Sequence, residues 1–388
     1  MHLRMRIPPV VPDVYPRPPE RCPGCGNTTF HSHGDVDKPI RDTRLEKVTV
    51  RRIQCTQCDK TLRIYPLGIT VRDQSERVRG FSMFLWLLGL SYRGVEDALA
   101  GLGVVLKKSQ IFDNVQTVGE RVRQVQEKRL AKRRVRVLAA DCTHVHVRGQ
   151  DTVVLQLTDG EKGLSLAVEV LEGEDQDQLQ AAIAEVAAAV GAEVLLTDDA
   201  DPLKGVADAL GLEHAVCQQH VVPNKLTLLV SMVAQLEKLR ESGRRDAAGQ
   251  KKVAQALADV QELEDLLLWR VPGSQRLLDA LARRYEQEPL PRKGQRATPF
   301  ARLKLLTGDL ATNWPRLTLT ESRRDAQGRR FVPATNNVSE QQIGLNIKER
   351  YRTMRGYKSE TSLRRVVTLT ACLRDAHDQQ ALIEALAA

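Results

Sequence analysis

The chain has 388 residues, of which 42% are apolar, so it can bury more than one core and fold into about two to four domains. Its net charge of +9 favours a polyanionic partner, and nucleic acid is the first candidate. The most apolar run, residues 81–90, is about half the roughly 20 residues that span a bilayer. The proline-rich N-terminal stretch lacks the apolar centre of a secretory signal. We therefore expect no membrane partner and a cytoplasmic, nucleoid-associated protein.

Four of the seven cysteines form two Cys-x-x-Cys pairs: Cys22, Cys25, Cys55 and Cys58. A two-residue spacer lets both thiolates of a pair reach one ion from a tight turn. Doubled pairs without an export signal indicate metal ligation rather than disulfides. Residues 48–53 and 61–65 have the composition of strands around the second pair. We predict a zinc ribbon over residues 1–70, with a structural Zn²⁺ because four thiolates leave no open coordination position.

Three helices are predicted after the ribbon, at 75–89, 91–101 and 108–130. Three short helices with a tight turn make a helix-turn-helix unit, which we assign with its basic linker to residues 71–134. The third helix would then read DNA, with lysines at phosphates and amides at base edges. The predicted contacts are Lys107, Lys108, Gln110, Asn114 and Gln116. A helical hairpin that packs on its neighbour is the alternative.

From residue 135 the sequence has the pattern of a sheet domain. The predicted elements are strands at 135–148, 152–158 and 164–171, a helix at 176–190, a strand at 193–197, a helix at 202–210 and a strand at 213–217. The first three strands are joined by short turns and should form an antiparallel meander. This order is that of a ribonuclease-H-like core, so the predicted fold class is α/β with a mixed sheet.

Asp141 ends the apolar part of the first strand of this core. By the two-residue period of a strand it shares one face with Val137 and Ala139. An unpaired carboxylate on such a face would cost roughly several kcal/mol to bury. A bound cation would remove that cost, so Asp141 is a candidate metal ligand.

Asp198 follows the strand at 193–197, at the carboxyl edge where the sites of open sheets collect. Its neighbours Asp199 and Asp201 compete for the same role. The sequence favours Asp198 because it comes directly after the strand.

Glu340 lies near the start of a predicted helix. Asn337, three residues earlier, gives a capping-box arrangement in which the glutamate only returns a hydrogen bond to the cap. Glu340, Ile343 and Ile347 nevertheless fall on one helical face, so we expect the carboxylate to face the core. The three distant acids would then meet on one pair of divalent cations.

Four motifs in this order resemble the DDE transposases of bacterial insertion sequences, particularly the Mutator-type branch. They are Asp-x-Thr-His-Val at 141–145, Thr-Asp at 197–198, Cys-x-x-His at 217–220 and Thr-Asn-Asn-x-x-Glu at 335–340. The resemblance covers roughly residues 135–365. It implies that Asp141, Asp198 and Glu340 bind two Mg²⁺ ions. It also implies an all-helical insertion at 221–330, between core segments at 135–220 and 331–388.

Two further groups of residues accompany these motifs. Cys217 and His220 recur in the resembling families, and we favour a structural role, or positioning near DNA, over a second zinc site. Beyond Glu340 a basic segment suits clamping of the scissile strand, because guanidinium groups pair bidentately with phosphate. The predicted contacts there are Lys348, Arg350, Arg352 and Arg355.

The sequence therefore predicts a DNA transposase that binds double-stranded transposon ends and carries out metal-dependent cleavage and strand transfer into target DNA. Paired ends imply a homo-oligomer of at least two subunits on DNA. The chain offers no compelling nucleophilic tyrosine or serine arrangement, which argues against recombinases that use one. Two alternatives stay open: a catalytically inactive DNA-binding regulator derived from a transposase, and a ribonuclease-H-like structure-specific nuclease that does not join strands.

Overall fold

A computed structural model describes residues 9–69, 71–242, 246–271, 275–354 and 356–374. The elements are, in chain order, β1 (Phe30–Pro39), β2 (Lys47–Cys55), β3 (Thr61–Ile64), α1 (Glu76–Leu87), α2 (Tyr92–Ala100), α3 (Lys108–Leu130), β4 (Val137–Val147), β5 (Gln150–Asp159), β6 (Ser165–Leu171), α4 (Gln176–Val190), β7 (Val194–Thr197), α5 (Asp201–Leu210), β8 (Glu213–Val216), α6 (Gln218–Glu241), α7 (Ala247–Leu267), α8 (Gln275–Tyr285), α9 (Pro299–Leu317), α10 (Leu319–Ser322), α11 (Asn337–Gln342), a π-helix (Ile343–Lys348), α12 (Glu349–Met354) and α13 (Glu360–Arg374). None of the described helices combines the length and apolarity needed to cross a bilayer.

A small antiparallel sheet, in the order β1-β2-β3, carries the cysteine pairs. Its core is limited to a few buried side chains: Ile40, Val48, Val50, Tyr65 and Ile69. β2 and β3 lie where the sequence predicts strands, but β1 was not predicted. Its residues are mostly exposed, and its pairing with β2 shifts between Ser32 and Asp35, so it lacks the alternation that marks a strand.

The three helices α1, α2 and α3 begin and end within a few residues of their predicted bounds. Ser91 caps α2 as expected, and its hydroxyl accepts a hydrogen bond from the Gly94 amide at 3.0 Å. The helices share one core with β4, β5, β6, the π-helix and α13, which we call the Trp86 cluster; its members include Trp86, Val95, Ile111, Val145, Val147, Ile343, Ile347 and Val366. A Cβ on Gly119 would lie 2.6 Å from the Arg365 carbonyl oxygen, so α3 and α13 meet backbone to backbone.

A five-stranded mixed sheet follows, in the order β6-β5-β4-β7-β8. β4, β5 and β6 are antiparallel neighbours, and β7 and β8 run parallel to β4. The predicted meander and the two helix-strand units are therefore confirmed, and the order agrees with the ribonuclease-H-like sheet that the sequence predicts. α4 and α5 cover one face, on a core that includes Leu138, Ala140 and Ile183.

The other face of β4 carries two apolar clusters in succession. Val137 and Ala139 belong to the first, which we call the Val137 cluster and which also includes Val194, Leu196, Ala215, Val332 and Val338. Val145 and Val147 belong to the Trp86 cluster. Asp141 lies on this same face by strand alternation, between the two clusters.

Residues 218–322 form a helical unit with its own core. α6, α7, α8 and α9 contribute its buried side chains, among them Met232, Val260, Leu281, Phe300 and Trp314. An isolated antiparallel bridge joins Arg324 to Arg330 beyond α10. In the described residues this region agrees with the predicted helical insertion, while its exact limits, and those of the other predicted segments, stay predictions.

Candidate active site

The four thiols of the cysteine pairs converge at one end of the small sheet. Their Sγ atoms all lie within 4.8 Å of one another, and the Cys22–Cys58 and Cys25–Cys55 pairs are each 3.6 Å apart. A hydrogen bond from the Gly24 amide lowers the pKa of Cys22. One from the Gln57 amide lowers the pKa of Cys55 to about 6. Both amides favour the thiolate that binds metal, so the donor set fits a tetrahedral Zn²⁺.

The acids at 141 and 198 lie beside each other at one edge of the large sheet. Ala139 is the register partner of Leu196 in the parallel pair of β4 and β7, and each acid comes two residues later. Burial raises the pKa of Asp141 to about 6, and the charges of Asp198 and Glu340 add to the increase. Two carboxylates from distant parts of the chain therefore act on the charge of Asp141.

The helix that carries Glu340 bridges the two apolar clusters beside Asp141. Val338 packs on the Val137 cluster, while Ile343 and Ile347 are buried in the Trp86 cluster. The expectation that Glu340 faces the core is wrong: its side chain keeps 41% exposure and lies 3.6 Å from the His220 ring nitrogen. The capping-box alternative is also wrong, since the helix begins after Asn336 and the third helical residue is Ser339.

Asn336 connects the parts of this site, a role that the sequence analysis missed. The residue is fully buried, and its side-chain amide donates a hydrogen bond to the Ala140 carbonyl at 2.9 Å. Its backbone amide donates to the Cys217 sulfur at 3.2 Å, and its carbonyl accepts from the Glu340 amide at 3.2 Å. The Thr-Asn-Asn motif signalled importance, but a bond to a strand 196 residues away cannot be inferred from local pattern.

The structure distinguishes Asp198 from its acidic neighbours. Lys204 pairs with Asp199 at 2.7 Å and with Asp201 at 3.2 Å, so both competitors already have a cation. Asp198 accepts a hydrogen bond from the Ala200 amide at 3.2 Å, and its charge acts on Asp141. This arrangement supports the sequence-based preference for Asp198.

The buried pair of Thr197 and His214 holds the strand end that carries Asp198. Thr197 Oγ1 lies 2.8 Å from His214 Nε2, and both side chains are buried. Burial lowers the pKa of His214 to about 4, with the Arg316 charge in the same direction, so this histidine is neutral at neutral pH. No local sequence pattern marks this pair, because Thr197 and His214 lie on different strands.

Two of the predicted DNA contacts on α3 are buried inside the protein. Asn114 is 3% exposed and donates to Gln74 Oε1 at 2.9 Å. Gln116 is also buried and donates to the Ser362 hydroxyl at 3.0 Å. The predicted base-reading roles of Asn114 and Gln116 are therefore wrong, because α3 turns this face toward the shared core. Gln110 accepts a hydrogen bond from the Lys107 amide at 3.1 Å and is half-buried.

The basic segment after Glu340 also contains both buried and exposed predicted contacts. Arg350 is 4% exposed: its guanidinium lies 3.8 Å from the centre of the Trp86 ring and donates to the Leu90 carbonyl at 3.2 Å. Its predicted phosphate contact is therefore wrong, and its role is packing. The other predicted cations that are described are exposed: Lys107, Lys108, Lys348 and Arg352. Arg355 lies outside the described residues.

The carboxylates of Asp141, Asp198 and Glu340, which we call the three-carboxylate site, have the oxygen donors that Mg²⁺ prefers. A cation would offset the cost of burying the Asp141 charge and the repulsion from the other two acids, which together raise the pKa of Asp141. The side chain of Glu340 keeps 41% exposure, so the site is open to solvent on this side.

No family model and no curated protein matches this chain. Among solved structures, it is similar to the HTLV-2 integrase catalytic core domain in complex with magnesium, at 12% identity and a TM-score of 0.20, over 32% of this chain and 84% of that one. It is also similar to the catalytic core domain of BIV integrase, at 14% identity and a TM-score of 0.18, over 54% of this chain and 95% of that one.

Proposed function

We propose that this protein is a DNA transposase that binds transposon ends and carries out metal-dependent cleavage and strand transfer. The proposal is supported by two observations: Asp141 and Asp198 each come two residues after a register pair of β4 and β7, and the charges of Asp198 and Glu340 add to the burial that raises the pKa of Asp141 to about 6. Acids that repel one another without a cation are typical of a catalytic metal site.

Asp141, Asp198 and Glu340 would hold two Mg²⁺ ions. When bound, these ions supply Lewis-acid stabilisation of the attacking and leaving oxygens in an in-line displacement at a DNA phosphodiester. With a pKa of about 6, Asp141 is ionised at neutral pH and ready to bind. Asn336 fixes β4 and the Glu340 helix to each other, and the Thr197–His214 pair fixes the strand end at Asp198. Cleavage would leave a 3′-hydroxyl at the transposon end. Strand transfer would then join this end to the target DNA.

The remaining parts of the proposal concern DNA binding. The net charge of +9 and the exposed cations Lys107, Lys108, Lys348 and Arg352 favour a phosphate backbone. The four-thiol site would hold a structural Zn²⁺ that folds the small sheet into a zinc ribbon. We propose that α1, α2 and α3 form the helix-turn-helix part, with the lysines before α3 at phosphates. Two ends in one complex would need at least a dimer.

The test is a cleavage and strand-transfer assay with the purified chain, Mg²⁺ and labelled duplexes from the DNA that flanks its own gene. Asp141→Asn, Asp198→Asn and Glu340→Gln should each lower cleavage by at least about 10³-fold while end binding persists. Asp199→Asn is the matched control, because Asp199 pairs with Lys204 and should keep activity within about threefold.

The results also separate the alternatives. Cleavage retained by Asp141→Asn would contradict the acid assignment, and loss in Asp199→Asn alone would move the second acid by one residue. Specific binding without any metal-dependent nick would favour the regulator. Nicks on branched DNA without strand-transfer products would favour the nuclease.

A further inference from the structure

Cys217 and His220 lie at the start of α6, directly beside the three-carboxylate site. Cys217 precedes the helix and His220 comes three positions later, so both side chains lie on one side of the first turn. The Cys217 sulfur, a His220 ring nitrogen and a Glu340 carboxylate oxygen lie within 4.8 Å of one another. His220 Nε2 is 3.6 Å from Glu340 Oε1. Three donors of different chemistry therefore converge next to the acids.

This donor set differs from that of the three carboxylates. Thiolate and imidazole suit Zn²⁺, whereas Mg²⁺ prefers oxygen ligands. Sites with three protein ligands leave the fourth zinc position to water or another group. Cys217 is fully buried, while the side chains of His220 and Glu340 keep 44% and 41% exposure. An ion can therefore enter from solvent and reach the sulfur at the inner end.

The surroundings of the sulfur fix its position. The Asn336 amide donates a hydrogen bond to Cys217 Sγ at 3.2 Å. Cys217 is also the residue directly before a helix of 24 residues. Its own amide donates to the Thr197 carbonyl at 2.8 Å, so its backbone is fixed before any ion binds. A merely apolar cysteine would need none of these partners.

We infer that Cys217, His220 and Glu340 form a second zinc site, and that Zn²⁺ bound there inhibits the enzyme by withdrawing Glu340 from the catalytic Mg²⁺ ions. The zinc site itself rests on the three donors alone. Inhibition rests in addition on the proposed function, because only then does Glu340 have a second ion to bind. Because Glu340 would belong to both donor sets, the activity would depend on the ratio of zinc to magnesium.

The binding test uses the full chain with its four-thiol site already loaded with zinc. Co²⁺ added to this protein should give a thiolate-to-cobalt absorption band, and dialysis against Zn²⁺ should raise the zinc content from one to two ions per chain. Cys217→Ser should remove the band and the second ion. His220→Ala, at an exposed position that tolerates truncation, should lower zinc affinity at least tenfold. Cys372→Ser, at another buried cysteine, is the matched control and should keep both ions.

Absence of the band in the wild-type chain, or its survival at full affinity in His220→Ala, would overturn the site. Circular dichroism of each variant checks that loss of the band does not reflect loss of folding. These measurements need no cleavage, so they hold even if the proposed function fails.

The inhibition test measures cleavage at fixed Mg²⁺ with increasing Zn²⁺, each variant relative to its own zinc-free rate. Wild-type activity should fall as the second zinc ion binds, and extra Mg²⁺ should restore it. His220→Ala should need at least tenfold more zinc for the same loss. Zinc that binds at Cys217 without slowing cleavage would overturn the competition for Glu340.

Discussion

The four-thiol site and the three-carboxylate site both gather metal donors, but from very different lengths of chain. The thiols come from residues 22–58, on two tight turns of a small sheet. The carboxylates come from residues 141–340, on two strand ends and a helix. The small sheet has few buried side chains around its donors, whereas Asp141 lies between the Val137 cluster and the much larger Trp86 cluster.

This difference determines what each metal does for its surroundings. A small sheet with a limited core would depend on a bound ion for stability, because metal binding supplies free energy of folding. The acids, by contrast, are held together by apolar packing on both sides, against their own repulsion. We therefore expect opposite effects on stability when donors are removed from the two sites.

The largest expected effect is at the thiol site. Cys55→Ser should unfold the small sheet by removing a donor to an ion whose binding is worth about 10 kcal/mol or more in comparable sites. Hydrogen exchange should then be fast in residues 30–64 and unchanged in the large sheet. Gln57→Ala, at an exposed neighbour, is the control. Slow exchange in the small sheet of Cys55→Ser would mean that the sheet folds without its metal.

At the acid site, by contrast, we expect removal of a donor to raise stability. The pKa of Asp141 is about 6 in the folded chain against 3.8 as the ordinary value. The folded state therefore binds more protons between these values, and stability without magnesium should fall as pH rises from about 4 to 6 and then level off. At neutral pH the raised pKa of Asp141 should lower the free energy of unfolding by roughly 3 kcal/mol, because each pKa unit corresponds to about 1.4 kcal/mol.

Asp141→Asn should remove this dependence and stabilise the magnesium-free sheet at pH 8 by about 1–3 kcal/mol. Hydrogen exchange of β4 amides across pH, corrected for intrinsic rates, measures the effect. Added Mg²⁺ should protect β4 in the wild type more than in the variant. A variant less stable than the wild type at pH 8 would contradict the cost that burial and repulsion from the other acids impose on the Asp141 charge.

The comparison also explains what the sequence could and could not predict. The positions of the strands in the large sheet and the strand face that carries Asp141 followed from the period of two, and the convergence of the thiols from their spacing, since these signals are local. Asn336 was missed, and Asn114 and Arg350 were assigned to DNA, because their roles depend on partners far along the chain. Glu340 was found by motif, but its exposure depends on two clusters that meet only in the fold.

Asn336→Ala tests whether the buried hydrogen bonds of Asn336 hold the acid site in position. Loss of the bond to the Ala140 carbonyl should loosen β4 against the Glu340 helix and lower cleavage by about 10–100-fold, as misplacement of catalytic groups does. Asn337→Ala is the matched control, since Asn337 is exposed beside it. Magnesium affinity, followed by protection of β4, should weaken in the first variant only. Equal activity in both variants would show that the clusters suffice without Asn336.

The smallest expected effects come from substitutions at α3, where exposed lysines and a buried asparagine should affect different properties. Lys107→Gln with Lys108→Gln should weaken DNA binding equally for all sequences and reduce the salt slope by about 1 per phosphate contact.

Asn114→Ala should instead cost about 1–2 kcal/mol of stability, because it leaves Gln74 without its partner, and should not alter sequence preference. Binding to two DNA sequences over a range of salt, with urea unfolding, distinguishes these outcomes. A changed sequence preference in Asn114→Ala would mean that α3 presents its buried face to DNA after all, and the core shared with α13 would then have to open on binding.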